Sequence, residues 1–186
     1  MTIQRPIRAI LSGMLVTLIA ALLILMTAQI VFRYGFNSSL LWAEEMCRYM
    51  LIWLAFLGMA MSYERGEVAA LTFVSGALGR GPALVLAIIC SLLSLGFCAL
   101  LVWYGMTFAG LAGGSQIPAM RFILEDLFGA NAPQAPGIYW VYVALPVGMA
   151  LLALRLAADV VLFARALASG ATLQDVLRRT QTGVAE

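Results

Sequence analysis

At 186 residues, 63% hydrophobic, 11% charged and with a mean hydropathy of +0.99, the chain lacks the polar surface of a water-soluble domain, in which roughly a quarter of residues are charged. Its net charge of +2 rests on scattered arginines, which excludes a nucleic-acid face, and its lack of any histidine excludes haem held between imidazoles. Cys47, Cys90 and Cys98 lie inside apolar runs without a CxxC pair, so they read as small hydrophobes rather than metal ligands or a disulfide. No residues are assigned to catalysis, to a cofactor or to a metal.

The first apolar run, 9–32, follows Arg5 and Arg8 and contains no charge. A hydrocarbon layer of about 30 Å needs about 20 helical residues at 1.5 Å each, whereas a signal-peptide core needs only about 7 to 15. No small-residue cleavage site follows, and an uncleaved spanning helix is expected. The segment from Arg33 to Ser39 is punctuated by Gly35, Asn37 and Ser38 and marks a turn at the far interface.

The second span is expected over 40–63, apolar except for Glu44, Glu45 and Arg48, with Trp42 and Tyr63 as interfacial aromatics near its ends. Glu64-Arg65-Gly66-Glu67 closes it, and a moderately apolar connector ending in Gly79-Arg80-Gly81 is expected at the membrane surface. The third span, 82–112, opens at Pro82, a residue tolerated in a first helical turn, and its length predicts tilt.

The loop 113–136 carries Pro118, Arg121, Glu125, Asp126, Pro133 and Pro136. Within it Met120, Phe122, Ile123, Leu124, Leu127 and Phe128 are interrupted by charges, a pattern suited to a short interfacial helix. The fourth span is expected over 137–163, with Tyr139, Trp140 and Tyr142 at its entrance and Pro146 within it. The tail 164–186 is polar, and Thr172 with Asp175 offers a capping-box-like start for a small helix. No internal repeat of fixed period emerges.

The fold class that follows is an all-α integral membrane protein, a single membrane domain over 1–186 with four transmembrane helices. In an even-span topology Arg5, Arg8, Arg65, Arg80, Arg165, Arg178 and Arg179 share one side, and Arg33, Arg48 and Arg121 the other. The positive-inside rule therefore predicts both termini in the cytoplasm.

Glu44, Glu45 and Arg48 are costly in a span, at roughly 2.5 to 3.5 kcal/mol for each ionised group at the bilayer centre. At 100° per residue Arg48 lies angularly between the two glutamates, so one guanidinium is expected to bridge both carboxylates. Three readings compete: solvation at headgroup depth, a patch that faces another helix and pins packing with Arg33, and an ion relay. The relay is disfavoured because the spans hold almost no further ionisable groups. Arg155 and Asp159, one turn apart, are expected to pair and to snorkel to the cytoplasmic interface.

The run Phe32-Arg33-Tyr34, Phe36-Asn37, Trp42-Ala43-Glu44-Glu45, Arg48-Tyr49, Trp53-Leu54, Phe56-Leu57-Gly58 and Arg65-Gly66-Glu67 resembles the small permease (DctQ-like) subunit of TRAP transporters. A second block, Trp140 to Gly148 followed by Ala153-Leu154-Arg155, resembles the same family more loosely. Two departures stand out. Glu67-Val68-Ala69 takes the place where members often carry His, and the 116–136 loop is longer than usual.

The resemblance implies a multi-pass protein of the bacterial inner membrane that is not an enzyme. It implies a large multi-span permease subunit as partner, a periplasmic substrate-binding protein, and membrane lipid around both. It further implies uptake of an organic acid coupled to a cation, typically sodium, held in the partner subunit, with no cofactor in this chain. On this reading Arg33, Glu44, Glu45, Arg48, Trp42 and Trp53 serve subunit or helix packing, and Arg121, Glu125 and Asp126 in the periplasmic loop meet the binding protein. The rival reading from another class is a four-helix anchor of a redox complex without its own His-ligated haem. A self-assembling channel is a third.

Overall fold

The computed structural model describes residues 4–38, 40–64, 80–129 and 132–169. It is helical: α1 (Gln4–Gly35), α2 (Leu41–Glu64), α3 (Arg80–Ala112), α4 (Pro118–Phe128), α5 (Tyr139–Tyr142) and α6 (Ala144–Ser169), in that order. Among the described residues four stretches are long and apolar enough to cross a membrane: Ala9–Gly35, Trp42–Tyr63, Gly81–Ala112 and Tyr139–Ser169. The chain is thus an all-α, multi-pass membrane protein. Of the connector expected at the membrane surface, Arg80 and Gly81 instead open α3; the rest of it and the small helix expected at Thr172 lie outside the described residues.

Helix ends follow local chemistry. The first span was expected to end at Phe32, but α1 runs on through Arg33 to Gly35. It stops where Asn37 adopts a left-handed backbone, φ 51°, a conformation that Asn tolerates better than most residues, and the Ser38 amide closes on the Phe32 carbonyl at 3.1 Å. The last helix likewise runs beyond the expected Phe163 to Ser169 and includes Arg165. Pro146 sits near the start of α6 and cannot donate an amide to the Tyr142 carbonyl, which accounts for the break between α5 and α6. Val147 restores the helical pattern by donating to the Val143 carbonyl at 3.0 Å.

The chain divides into two compact units, each drawing on several helices. The first comprises Met1–Gly58 and Trp103–Val147. Its core is small: Ile117, Ala119 and Val141 are buried, and Trp42, Met46, Tyr49 and Ile52 of α2 pack against them. Those four α2 positions recur at helical spacing, so one face of α2 receives the α4 segment. Close approach elsewhere in this unit depends on glycine. A Cβ on Gly105 would stand 2.8 Å from Leu145 Cδ2 and 3.3 Å from Pro146 Cδ, so α3 and the start of α6 touch nearly backbone to side chain. Phe108 and Tyr142 meet edge to face next to this contact, with ring centres 5.0 Å apart.

The second unit comprises Met59–Val102 and Gly148–Glu186. Its apolar core is Ala83, Leu84 and Ala87 of α3 against Phe163 and Ala166 of α6, with Ile88 at the margin. Small residues dominate because lipid tails are as apolar as leucine, and helices in a membrane gain by close packing rather than by escape from water. The large apolar residues point outward instead: Leu93, Phe97, Trp103, Leu111 and Leu154 are all more than half exposed. That inversion is what a lipid solvent permits.

Candidate functional site

The head of α2 carries the charges that stood out in the sequence. Glu44 lies in the first turn, where the helix dipole favours an anion. Its carboxylate is 3.8 Å from Arg48, and both side chains are exposed, 74% and 68%. Glu45 takes a different partner: it accepts a hydrogen bond from the Tyr49 hydroxyl. The expected bridge of both carboxylates by Arg48 is therefore not formed. Side chains on a helix meet best at i and i+4, and that spacing joins Glu44 to Arg48 and Glu45 to Tyr49, leaving Arg48 at the less favourable i+3 from Glu45.

The outcome is two adjacent pairs with different surroundings. Glu44 and Arg48 form an outward pair, contained within α2 itself. Tyr49, the partner of Glu45, packs with Trp42 and Met46 against the buried cluster of Ile117, Ala119 and Val141. Trp53 is half-buried one turn further along α2. Arg33, in the last turn of α1, is exposed and makes no ion pair among the described residues, so it does not join the α2 charges.

A second charged surface lies on α4. Pro118 occupies its first turn, where a missing amide costs nothing, and Gly129 ends it with φ 58°, a conformation a Cβ would strain. Arg121 Nε is 2.7 Å from Glu125 Oε1, a direct charge-assisted hydrogen bond that holds the Arg121 guanidinium above its ordinary range. Asp126 is exposed beside it, and Phe122 and Phe128 flank the pair, each more than half exposed. A groove lined by Gln116, Pro118, Arg121, Phe122 and Glu125 runs along this face.

The loop holding α4 is closed at its base. The Ile117 amide donates to the Pro136 carbonyl at 3.0 Å and the Ile138 amide to the Ser115 carbonyl at 2.8 Å, around a bridge between Gln116 and Gly137. A Cβ at Gly137 would stand 2.7 Å from the Gly113 carbonyl oxygen, so glycine is required for the two strands of the loop to approach.

A third cluster, in the second unit, was only half visible in the sequence. Arg155 Nε lies 4.0 Å from Asp159 Oδ1, and the two side chains are 15% and 13% exposed, far more buried than the other two ion pairs. The Tyr63 hydroxyl donates to Asp159 Oδ2 at 3.0 Å, across 96 positions of sequence. Reading Arg155 and Asp159 as a pair was correct in pairing but missed this partner, because nothing local in the sequence signals a contact between the end of α2 and the middle of α6. Cys47 and Cys98 are buried, Cys90 is exposed, and all three are free. Among the described residues no three His, Cys, Asp or Glu side chains converge as metal ligands would.

Comparison with known proteins relates the chain to a family. A sequence profile for the family described as "Tripartite ATP-independent periplasmic transporters, DctQ component" matches residues 22–166. A Haemophilus influenzae protein named as a TRAP transporter small permease is 32% identical over 87 residues, 47% of this chain and 54% of its own length. The sialic acid TRAP transporter small permease protein SiaQ of Vibrio cholerae is 34% identical over 73 residues, 39% of this chain and 42% of its own length. The chain thus spans about half the length of the curated relatives it matches.

Proposed function

The chain belongs to the DctQ component family of tripartite ATP-independent periplasmic transporters, and from that membership we propose that it is the small membrane subunit that braces a large multi-span permease subunit. The observation that carries the proposal is the profile match over 22–166, which takes in α2, α3, α4 and nearly all of α6. In the complex so proposed, a periplasmic binding protein delivers an organic acid, and a cation, sodium in the simplest case, drives its uptake through sites in the large subunit. This chain is a scaffold and not the conduit.

The geometry supports a division of labour between surfaces. The outward Glu44–Arg48 pair, with Arg33, Trp42, Glu45 and Trp53, forms the contact with the large subunit. Glu44 and Arg48, 3.8 Å apart, bring opposite charges side by side, so the pair presents no net charge to a neighbouring helix. Arg121, Glu125 and Asp126 on α4 face the binding protein. The arginine distribution favours a topology with both termini in the cytoplasm and the α4 loop in the periplasm, as in an inner-membrane protein.

Reconstitution tests the proposal. Proteoliposomes containing the large subunit and this chain, supplied with binding protein and a sodium gradient, should accumulate an organic acid; omission of this chain should abolish uptake, and the chain alone should carry none. Uptake of equal rate without the chain would overturn the scaffold role.

A further inference from the structure

Two spans fix how high α4 can stand. The span Trp42–Tyr63 has 22 residues, about 33 Å of helix, and matches a hydrocarbon layer of about 30 Å with little slack. Trp42 therefore marks one edge of that layer, and Met46, Tyr49 and Ile52 lie below it. All four pack against the buried cluster of Ile117, Ala119 and Val141, and Val141 itself belongs to the span Tyr139–Ser169. The first turn of α4 is thus held beside residues of two spans, at the edge of the apolar layer rather than above it.

Along α4 the cover then fails. Met120, Leu124 and Phe128 recur four residues apart down one side with Ala119 and Ile123 beside them, while Arg121, Phe122, Glu125 and Asp126 occupy the rest of the turn. On the apolar side Ala119 is fully buried, Ile123 and Leu124 are half-buried, and Phe128, at its edge, is 59% exposed. Of the chain outside the described residues, 1–3, 65–79 and 170–186 are joined to the far ends of α1, α2 and α6, and Ser39, Ala130 and Asn131 bring no large apolar side chain. A partner in water meets the charged side, which faces away from α2. There Arg121 and Glu125 are joined by a 2.7 Å hydrogen bond. A helix with charges along one side and large apolar residues along the other, held at the edge of the layer, lies flat in a lipid interface.

We infer that α4 lies in the lipid interface at the edge where α2 begins, with Leu124 and Phe128 against acyl chains and Arg121, Glu125 and Asp126 toward water. The inference rests on the membrane reading of the chain and holds whether or not a binding protein docks on the charged side.

Quenching of a single fluorophore in nanodiscs of phosphatidylglycerol and phosphatidylcholine tests it. The full chain with Cys47→Ala, Cys90→Ala and Cys98→Ala carries a nitrobenzoxadiazole label on Phe128→Cys or on Phe122→Cys. On Phe128→Cys, phosphatidylcholine spin-labelled near the top of its acyl chain should quench several-fold more than aqueous iodide; on Phe122→Cys the order should reverse. Equal access of iodide to both labels would mean that α4 stands in water. Shielding of the Phe128→Cys label from both quenchers would mean that protein covers it. Either result overturns the inference. Circular dichroism establishes that the labelled chains are folded. If the cysteine-free chain is not, a photoreactive benzoylphenylalanine at position 128 of the otherwise native chain decides: a phospholipid adduct by intact mass supports the inference, and a polypeptide adduct, or none, overturns it.

Discussion

Asp159 holds two neighbours at once, and the consequences of removing it are asymmetric. Replacement by Leu leaves Arg155 without its counter-charge in a site where both side chains are about 15% exposed or less, and breaking a buried pair in this way costs about 3 to 5 kcal/mol. The double variant Arg155→Leu/Asp159→Leu should be less destabilised than Asp159→Leu alone, because no charge remains stranded. Tyr63→Phe removes one hydrogen bond and should cost about 1 kcal/mol, the scale of interhelical hydrogen bonds in membranes. Unfolding in mixed micelles would rank the three, and a double variant less stable than Asp159→Leu would contradict the assignment. The Glu44–Arg48 pair behaves differently. Both groups are exposed, so Arg48→Glu should scarcely change the melting of the isolated chain. Its effect should appear in assembly, as reduced recovery of the large subunit and reduced uptake; unchanged recovery and uptake would remove that pair from the interface.

Among the elements, α4 is held by its first turn and by the closure at its base. Ile117 and Ala119 dock on α2 while Arg121, Phe122, Glu125 and Phe128 look outward. Replacing 118–135 by a short turn should preserve insertion and the long helices yet lower uptake, read as a raised concentration of binding protein at half-maximal rate. Uptake with an unchanged requirement for binding protein would take this face out of the docking surface. Gly137→Val should push the loop base apart, since its Cβ would fall 2.7 Å from the Gly113 carbonyl oxygen; the packing of α4 on α2, followed by protection of backbone amides in α4, should weaken. How far these elements were legible depends on the range of the signal. The apolar runs and the interrupted pattern of 120–128 are local, and each matches a helix in the structure. The length of α1 beyond Phe32 depended on Asn37 adopting a left-handed backbone, which composition does not reveal. The split of Glu44 and Glu45 between Arg48 and Tyr49 was open to local reasoning, but angular placement alone overlooked the tyrosine hydroxyl at i+4. The Tyr63–Asp159 contact is long-range, and no local pattern points to it.

At the scale of the molecule, the four spans among the described residues turn large apolar side chains outward and describe a protein whose outer surface suits lipid. The arginine asymmetry makes the topology testable: a reporter active only in the cytoplasm, fused after Glu186, should be active, and one active only in the periplasm should be silent. Family membership and the exposed pairs on α2 and α4 lead to one central claim, that the chain works as the bracing subunit of a larger permease. The most direct measurement is affinity purification of the tagged chain from native membranes in mild detergent, with intact-mass identification of what accompanies it. The account predicts a large multi-span permease subunit in fixed stoichiometry with the chain, diminished by Arg48→Glu. Recovery of the chain without any such partner, or with a soluble redox enzyme in its place, would contradict it.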